Sequence, residues 1–227
     1  MTIQEFHINF DIELDKTLDF EYPYIQPEQK DYWLNKAQDI VVKLKYDPQS
    51  SNNNGFEENQ IRIDDLKEIV KKSGTITPSV SGTVYTSALP NDYLHLIRHR
   101  CITNTASCGN KTVGGKIVEQ DDINTLLLNP FRKPIQEEPL YYIDSTGIVY
   151  ETEGRFTVTG TILNYLKVPV RMRYGSAYST PTTDVQCEFT STIMQHEILN
   201  MAISMVLENI ESQRYQTNLN ELTKQNK

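Results

Sequence analysis

His196 and Glu197 open the run His196-Glu197-Ile198-Leu199-Asn200, and a helical His-Glu pair is half of the H-E-x-x-H zinc-protease motif. In that motif the second histidine stands one helical turn after the first, so that both imidazoles reach one ion. Here the position is Asn200, and the protease geometry fails. His95, His99, Cys101 and Cys108 offer imidazole and thiolate ligands, and His95 and His99 would share a helix face. Structural zinc sites draw on tight Cys-x2–4-Cys pairs, whereas six residues separate Cys101 from Cys108. Gly109-Asn110-Lys111-Thr112-Val113-Gly114-Gly115-Lys116 has the look of a phosphate loop, which requires Gly-Lys-Ser/Thr after its spacer. Gly115 occupies the lysine position and Ile117, without a hydroxyl, follows Lys116, so a glycine-bearing β-turn is expected. There is no G-x-S-x-G nucleophile elbow, and no acidic pair is marked as a general acid and base. The residues therefore point away from an enzyme: catalytic, cofactor-binding and metal-ligating residues are all assigned as none.

Composition narrows the remaining classes. The chain has 227 residues, 30 acidic and 22 basic, for a net charge of -8. Its pI is near 5.1 and its mean hydropathy is -0.50. A reader of duplex DNA needs a basic face for phosphates, which this balance opposes. Two local basic groups stand out nonetheless, Arg98 with Arg100, and Lys167 with Arg171 and Arg173. No apolar run reaches membrane-spanning length, and the N-terminal residues lack the pattern of a signal peptide. Cys101, Cys108 and Cys187 show no framework spacing, which suits assembly in a reducing cytosol. Tyrosine is abundant at 13 residues, including Tyr141, Tyr142, Tyr150 and Tyr165, and serves an interface or a β core equally well.

The elements that must position these residues follow from periodicity. Phe6, Ile8, Phe10, Ile12 and Leu14 alternate with polar residues, which predicts a strand or extended arm within an N-terminal segment 1–27. A helical part with a polar loop is expected over 28–75. Trp33, Leu34, Ala37, Ile40, Val41 and Leu44 form one face of its first helix, from about Glu28 to Tyr46, and Pro27 suits the first turn. The loop is the Asn-rich 47–60, and a short helix follows around Asp64–Lys72. A β-rich region is predicted over 76–186. Thr112–Glu119 is one expected strand, Leu140–Ile143 and Ile148–Glu151 flank the turn Asp144-Ser145-Thr146-Gly147, and Phe156–Ile162 alternates with threonines. A long C-terminal helix is expected over 187–216, ahead of a polar tail, 217–227. Met194, Ile198, Met201 and Met205 make one apolar stripe of that helix. Leu199, Ile203, Val206 and Ile210 make a second, and Glu197, Asn200, Ser204, Glu208 and Glu211 mark its wet face. The fold class expected is α+β: a helical bundle of N-terminal and long C-terminal helices, with an inserted antiparallel β-sandwich or barrel-like region.

Four segments in order resemble a known family. Ala88-Leu89-Pro90-Asn91-Asp92-Tyr93-Leu94 is similar to an LP-x-DYL step, and Tyr141-Tyr142-Ile143-Asp144 with Gly147-Ile148-Val149-Tyr150 to the hairpin that follows it. Asn164-Tyr165-Leu166-Lys167-Val168-Pro169 resembles an L-x-Y-[IL]-[RK]-x-P strand. Cys187-Glu188-Phe189, His196-Glu197-Ile198 and Ile210-Glu211-Ser212-Gln213-Arg214-Tyr215 resemble the closing helix. Together they span about residues 28–216 and resemble the ring, or head-to-tail connector and tail-tube adaptor, proteins of short-tailed phages, the crAss-like phages above all. The resemblance implies a structural virion protein assembled in the host cytoplasm, a homo-oligomeric, dodecameric ring in the portal–tail channel. Its implied partners are further copies of itself, the portal protein and other tail or ring proteins; phage DNA passes through without specific binding, and no membrane insertion is implied. The reading from a different class is a cytosolic binding or assembly module with a zinc-stabilised loop around His95–Cys108.

Overall fold

The computed structural model describes residues 1–18, 24–46 and 64–209. The chain divides into two compact units, residues 1–69 with 169–227, and Val70–Val168. The class is α+β, with the long helices in the first unit and two sheets in the second. The β unit departs from the expected 76–186 at both ends. Val70–Lys72 already pairs as a strand, and residues beyond 168 are held by a helix of the first unit.

The helical unit contains α1 (Ile3–Leu18), α2 (Pro27–Tyr46) and α4 (Thr192–Asn209); a short α3 (Ile123–Leu128) belongs to the β unit. The strand expected over Phe6–Leu14 is therefore a helix. Phe6, Phe10 and Leu14 are spaced by four, and with Ile3 they form one buried helical face. Ile8 and Ile12, also spaced by four, fall outside that face and remain 50% and 46% exposed. Thr2 and Glu5 start the helix as a capping box: Thr2 Oγ1 accepts the Glu5 N–H at 3.2 Å, and Glu5 Oε2 accepts the Thr2 N–H at 2.8 Å. α2 begins on Pro27, where the missing proline donor is harmless, and buries Leu34, Ala37 and Val41. Of the rest of its expected apolar face, Trp33 and Ile40 are half-buried and Leu44 is exposed.

α4 begins at Thr192 rather than Cys187, and α1 and α2 both pack against it. Of the described members of its two apolar stripes, Met194, Ile198, Leu199, Ile203 and Val206 are buried within the chain, while Met201 and Met205 are half-buried. Ser204, expected on the wet face, is also buried, and its hydroxyl donates to the Asn200 carbonyl at 2.9 Å. Ile210, Glu211, the remainder of the expected helix, the polar tail and the Asn-rich loop lie outside the described residues.

The β unit contains β1 (Val70–Lys72), β2 (Ser79–Ser81), β3 (Val84–Ser87), β4 (Tyr93–Thr105), β5 (Gly109–Val113), β6 (Lys116–Ile117), β7 (Leu140–Ile143), β8 (Ile148–Glu151) and β9 (Thr157–Lys167). One sheet has the order β1-β9-β4-β5, the other β2-β3-β8-β7-β6, and only β6–β7 is parallel. Both supply side chains to one core, which includes Tyr85, Cys101, Ile148, Tyr150, Leu163 and Tyr165. Three register shifts along β4–β9 mark bulges, which increase the local twist of a long pair. The short helix expected over Asp64–Lys72 stops at Ile69, because Val70 onward is taken up by pairing with β9. Thr112–Glu119 is not one strand: β5 and β6 lie in different sheets, separated by Gly114-Gly115. The hairpin over Leu140–Ile143 and Ile148–Glu151 has Ile143 opposite Ile148. Asp144 Oδ1 closes its turn by accepting the N–H groups of Thr146 and Gly147 at 2.7 and 3.0 Å. Gly147 has φ 140°, and a Cβ there would stand 2.1 Å from the Ser87 carbonyl oxygen, so the turn requires glycine.

Candidate functional site

The residues with potential ligand chemistry are dispersed. His95 and His99 lie on β4 rather than on a helix, and His99 and Cys101 are buried on the same face of that strand. Cys108 is exposed in the following turn. Among the described residues no group of three His, Cys, Asp or Glu side chains is placed to hold a metal ion. His196 is exposed, whereas Glu197 shares Lys45 Nζ with Asp65, each at 3.0 Å. Burial opposes the charge on Lys45, and the two carboxylates outweigh it, raising its pKa. Gly109–Lys116 contributes β-strands rather than a helix N-terminus behind a phosphate loop.

His99 instead joins a buried chain of neutral groups. Gly115 N–H donates to His99 Nδ1 at 3.3 Å, which leaves the ring proton on Nε2 in the neutral imidazole. Nε2 lies 2.5 Å from Tyr150 Oη, which is 2.7 Å from Thr161 Oγ1, and that hydroxyl is 2.7 Å from Ser87 Oγ. Burial lowers the His99 pKa to about 4 and pushes the Cys101 thiol up to about 12. The same desolvation raises Tyr150. Gly115 lets the backbone approach the imidazole: a Cβ would come within 2.7 Å of Tyr141 and 2.9 Å of His99. The chain joins β3, β4, β8 and β9 and carries no carboxylate or ammonium, and its members satisfy one another's buried donors and acceptors.

The helical unit makes a different polar construction. Along α2, Asp31, Asn35 and Gln38 are spaced by four and three and share a face. They bind the main chain of Tyr174, Met172 and Val170, alternate residues of an extended segment running the opposite way. Tyr174 N–H donates to Asp31 Oδ2 at 2.9 Å. Asn35 accepts the Met172 N–H and donates to its carbonyl, both at 2.8 Å, while Gln38 donates to the Val170 carbonyl at 3.1 Å. Two helical turns and four extended residues each cover roughly a dozen ångströms, which is why the registers match. Asp31 is buried and also receives His7 Nε2 at 2.8 Å and the Tyr178 hydroxyl at 2.5 Å. Burial, then the Asp31 carboxylate, pushes Tyr178 up to about 12. An open cleft of about 710 Å³ lies here, lined in part by Glu28, Tyr32, Lys36, Asp39, Arg171 and Arg173. Arg171 reaches Asp39 at 2.7 Å with both side chains well exposed, and Arg173 stands over the Tyr178 ring. The two exposed arginines are thus displayed by a clasped strand, a placement that sequence spacing alone did not reveal.

Charge is distributed unevenly. The helical unit holds 21 acidic and 12 basic residues, a net of -9, against 9 acidic and 10 basic, a net of +1, in the β unit. The chain therefore offers an acidic unit and a near-neutral unit with local cations.

The family described as phage tail ring protein 3/4 matches residues 1–220. Ring protein 4/5 of Bacteroides phage crAss001 is 23% identical over 226 residues, covering 90% of this chain and 92% of that protein.

Proposed function

The chain belongs to the phage tail ring protein 3/4 family, a family of structural phage proteins, and we propose that its copies close into a ring of twelve within the portal–tail channel. The family match along residues 1–220 carries this reading. In it the helices form the bundle of the ring body, with the β unit inserted for contacts with the portal protein and with other tail or ring proteins. A subunit with an acidic unit and a near-neutral one suits heterologous contacts, which give a ring when the rotation between copies closes. Assembly takes place in the host cytoplasm, and the mature location is the virion tail. The ring joins head to tail and passes DNA during ejection. An acidic helical unit repels rather than condenses phosphate, as a conduit requires. Electron microscopy of intact tails from purified virions tests the proposal. Twelve-fold density that fits this chain between portal and tail is expected; its absence from purified tails overturns the reading.

A further inference from the structure

One face of the β unit has an unusual charge pattern. Cα partners in a sheet direct their side chains to the same side, so the register identifies the outer face of the four-stranded sheet. Lys72, Asn164 and Arg98 form one row across β1, β9 and β4. Arg100 stands opposite Ile162 in the next row, and Ile102 opposite Gly160 and Thr112 in the one after. His99, Cys101 and Thr103 point the other way, into the core. From the first of these rows to Asn104, opposite Thr157 and Asn110, the outer face carries three cations and no carboxylate. Lys72 and Arg98 are exposed and Arg100 is half-buried, and none of the three has an ion-pair partner among the described residues.

The complementary pattern lies on α1. Glu5, Ile8, Ile12 and Asp15 follow at intervals of three, four and three, one stripe on the side away from the buried Phe6, Phe10 and Leu14. Ile8 and Ile12 are about half exposed, with an acidic residue at either end of the pair. The stripe is about 15 Å long at 1.5 Å per residue, and four strands at about 4.8 Å spacing make a platform of similar width.

Building on the ring proposed above, we infer that α1 of one copy lies on the outer face of the β1-β9-β4-β5 sheet of the next. Glu5 and Asp15 meet Arg98, Arg100 and Lys72, while Ile8 and Ile12 cover Ile162 and Ile102. The occupant is a second copy because this chain supplies both halves of the match, and because the acidic excess lies in the unit that contains α1. A head-to-tail contact of this kind uses a different surface on each partner, as ring closure demands.

Charge exchange tests the contact. Native mass spectrometry at low micromolar concentration is applied to the wild type, to Arg98→Glu with Arg100→Glu, to Glu5→Lys with Asp15→Lys, and to an equimolar mixture of the two variants. Each variant alone is expected to lose the ring, with self-affinity reduced about 100-fold or more by like charges brought together. The mixture restores it as an alternating ring, because each altered surface then finds its complement. Unchanged far-UV circular dichroism shows that these surface changes leave the fold intact. A wild type that forms rings while both variants also do so overturns this contact and leaves the ring reading standing. Variants that fail alone and fail together likewise overturn it. A wild type that remains monomeric removes the ring reading and this contact with it. If the arginine variant keeps its ring but loses binding to labelled duplex, the face serves nucleic acid and the inference falls.

Discussion

The helical unit buries carboxylate and ammonium groups, Asp31 and Lys30, beside neutral ones, whereas the buried polar side chains of the β unit are hydroxyl, imidazole and amide groups alone. Asp31 is closed in by His7, a main-chain N–H and a tyrosine hydroxyl, and Lys45 is held between Asp65 and Glu197. In the β unit the chain from His99 to Ser87 contains no carboxylate and no ammonium. Charge is expensive to bury and must be met by several donors, so the helical construction is exacting: remove one member and the others are stranded. A neutral chain tolerates loss better but fails when one member acquires a proton.

The largest expected effect is from Asp31→Ala. It strands His7, the Tyr174 N–H and the Tyr178 hydroxyl, and should cost about 3–5 kcal/mol. Urea unfolding followed by helical circular dichroism measures it. A loss below about 1 kcal/mol would mean that buried charge is not what ties α1, α2 and the clasped segment together.

Acid should act on the β unit next. An unfolded histidine titrates near 6.5, and folded His99 near 4, so between those values the unfolded chain binds the extra proton. The stability due to neutral His99 is intact above pH 6.5, declines as pH falls, and levels off near pH 4. The total loss is on the order of 3 kcal/mol. His99→Gln should flatten the curve in that window. An unchanged slope in this variant would assign the acid sensitivity to groups other than His99.

Thr2→Ala is the mildest test. It removes one half of the capping box that starts α1 and should lower stability by about 1 kcal/mol, read as a shift in urea midpoint without a change in slope. A change in slope would show that α1 unfolds separately from the rest of its unit.

α1 also shows how far the sequence could be read. Residues 6, 8, 10, 12 and 14 satisfy a period of two, yet they contain two series of four, and only burial distinguishes them. The decisive signal was the Thr2–Glu5 spacing of a capping box, a local mark of a helix start. The Leu140–Glu151 hairpin was legible because its turn residues dictate the register. β4 was not, since Tyr93–Thr105 mixes charged, aromatic and β-branched residues and is interrupted by bulges. The clasp on α2 and the chain through Tyr150 were beyond reach because both join residues far apart in sequence. The β unit's true limits were hidden for the same reason: residues 169–174 look extended, and only their bonds to α2 assign them to the helices.

That clasp has an evolutionary consequence. Asp31, Asn35 and Gln38 hold the opposing segment largely by its main chain, which is the same whatever side chains residues 171 and 173 carry. The exposed Arg171–Asp39 pair adds little to stability. Positions 171 and 173 are therefore free to drift while their scaffold stays fixed. Descendants of one gene can acquire new surface chemistry there, one neutral substitution at a time, without passing through an unfolded intermediate.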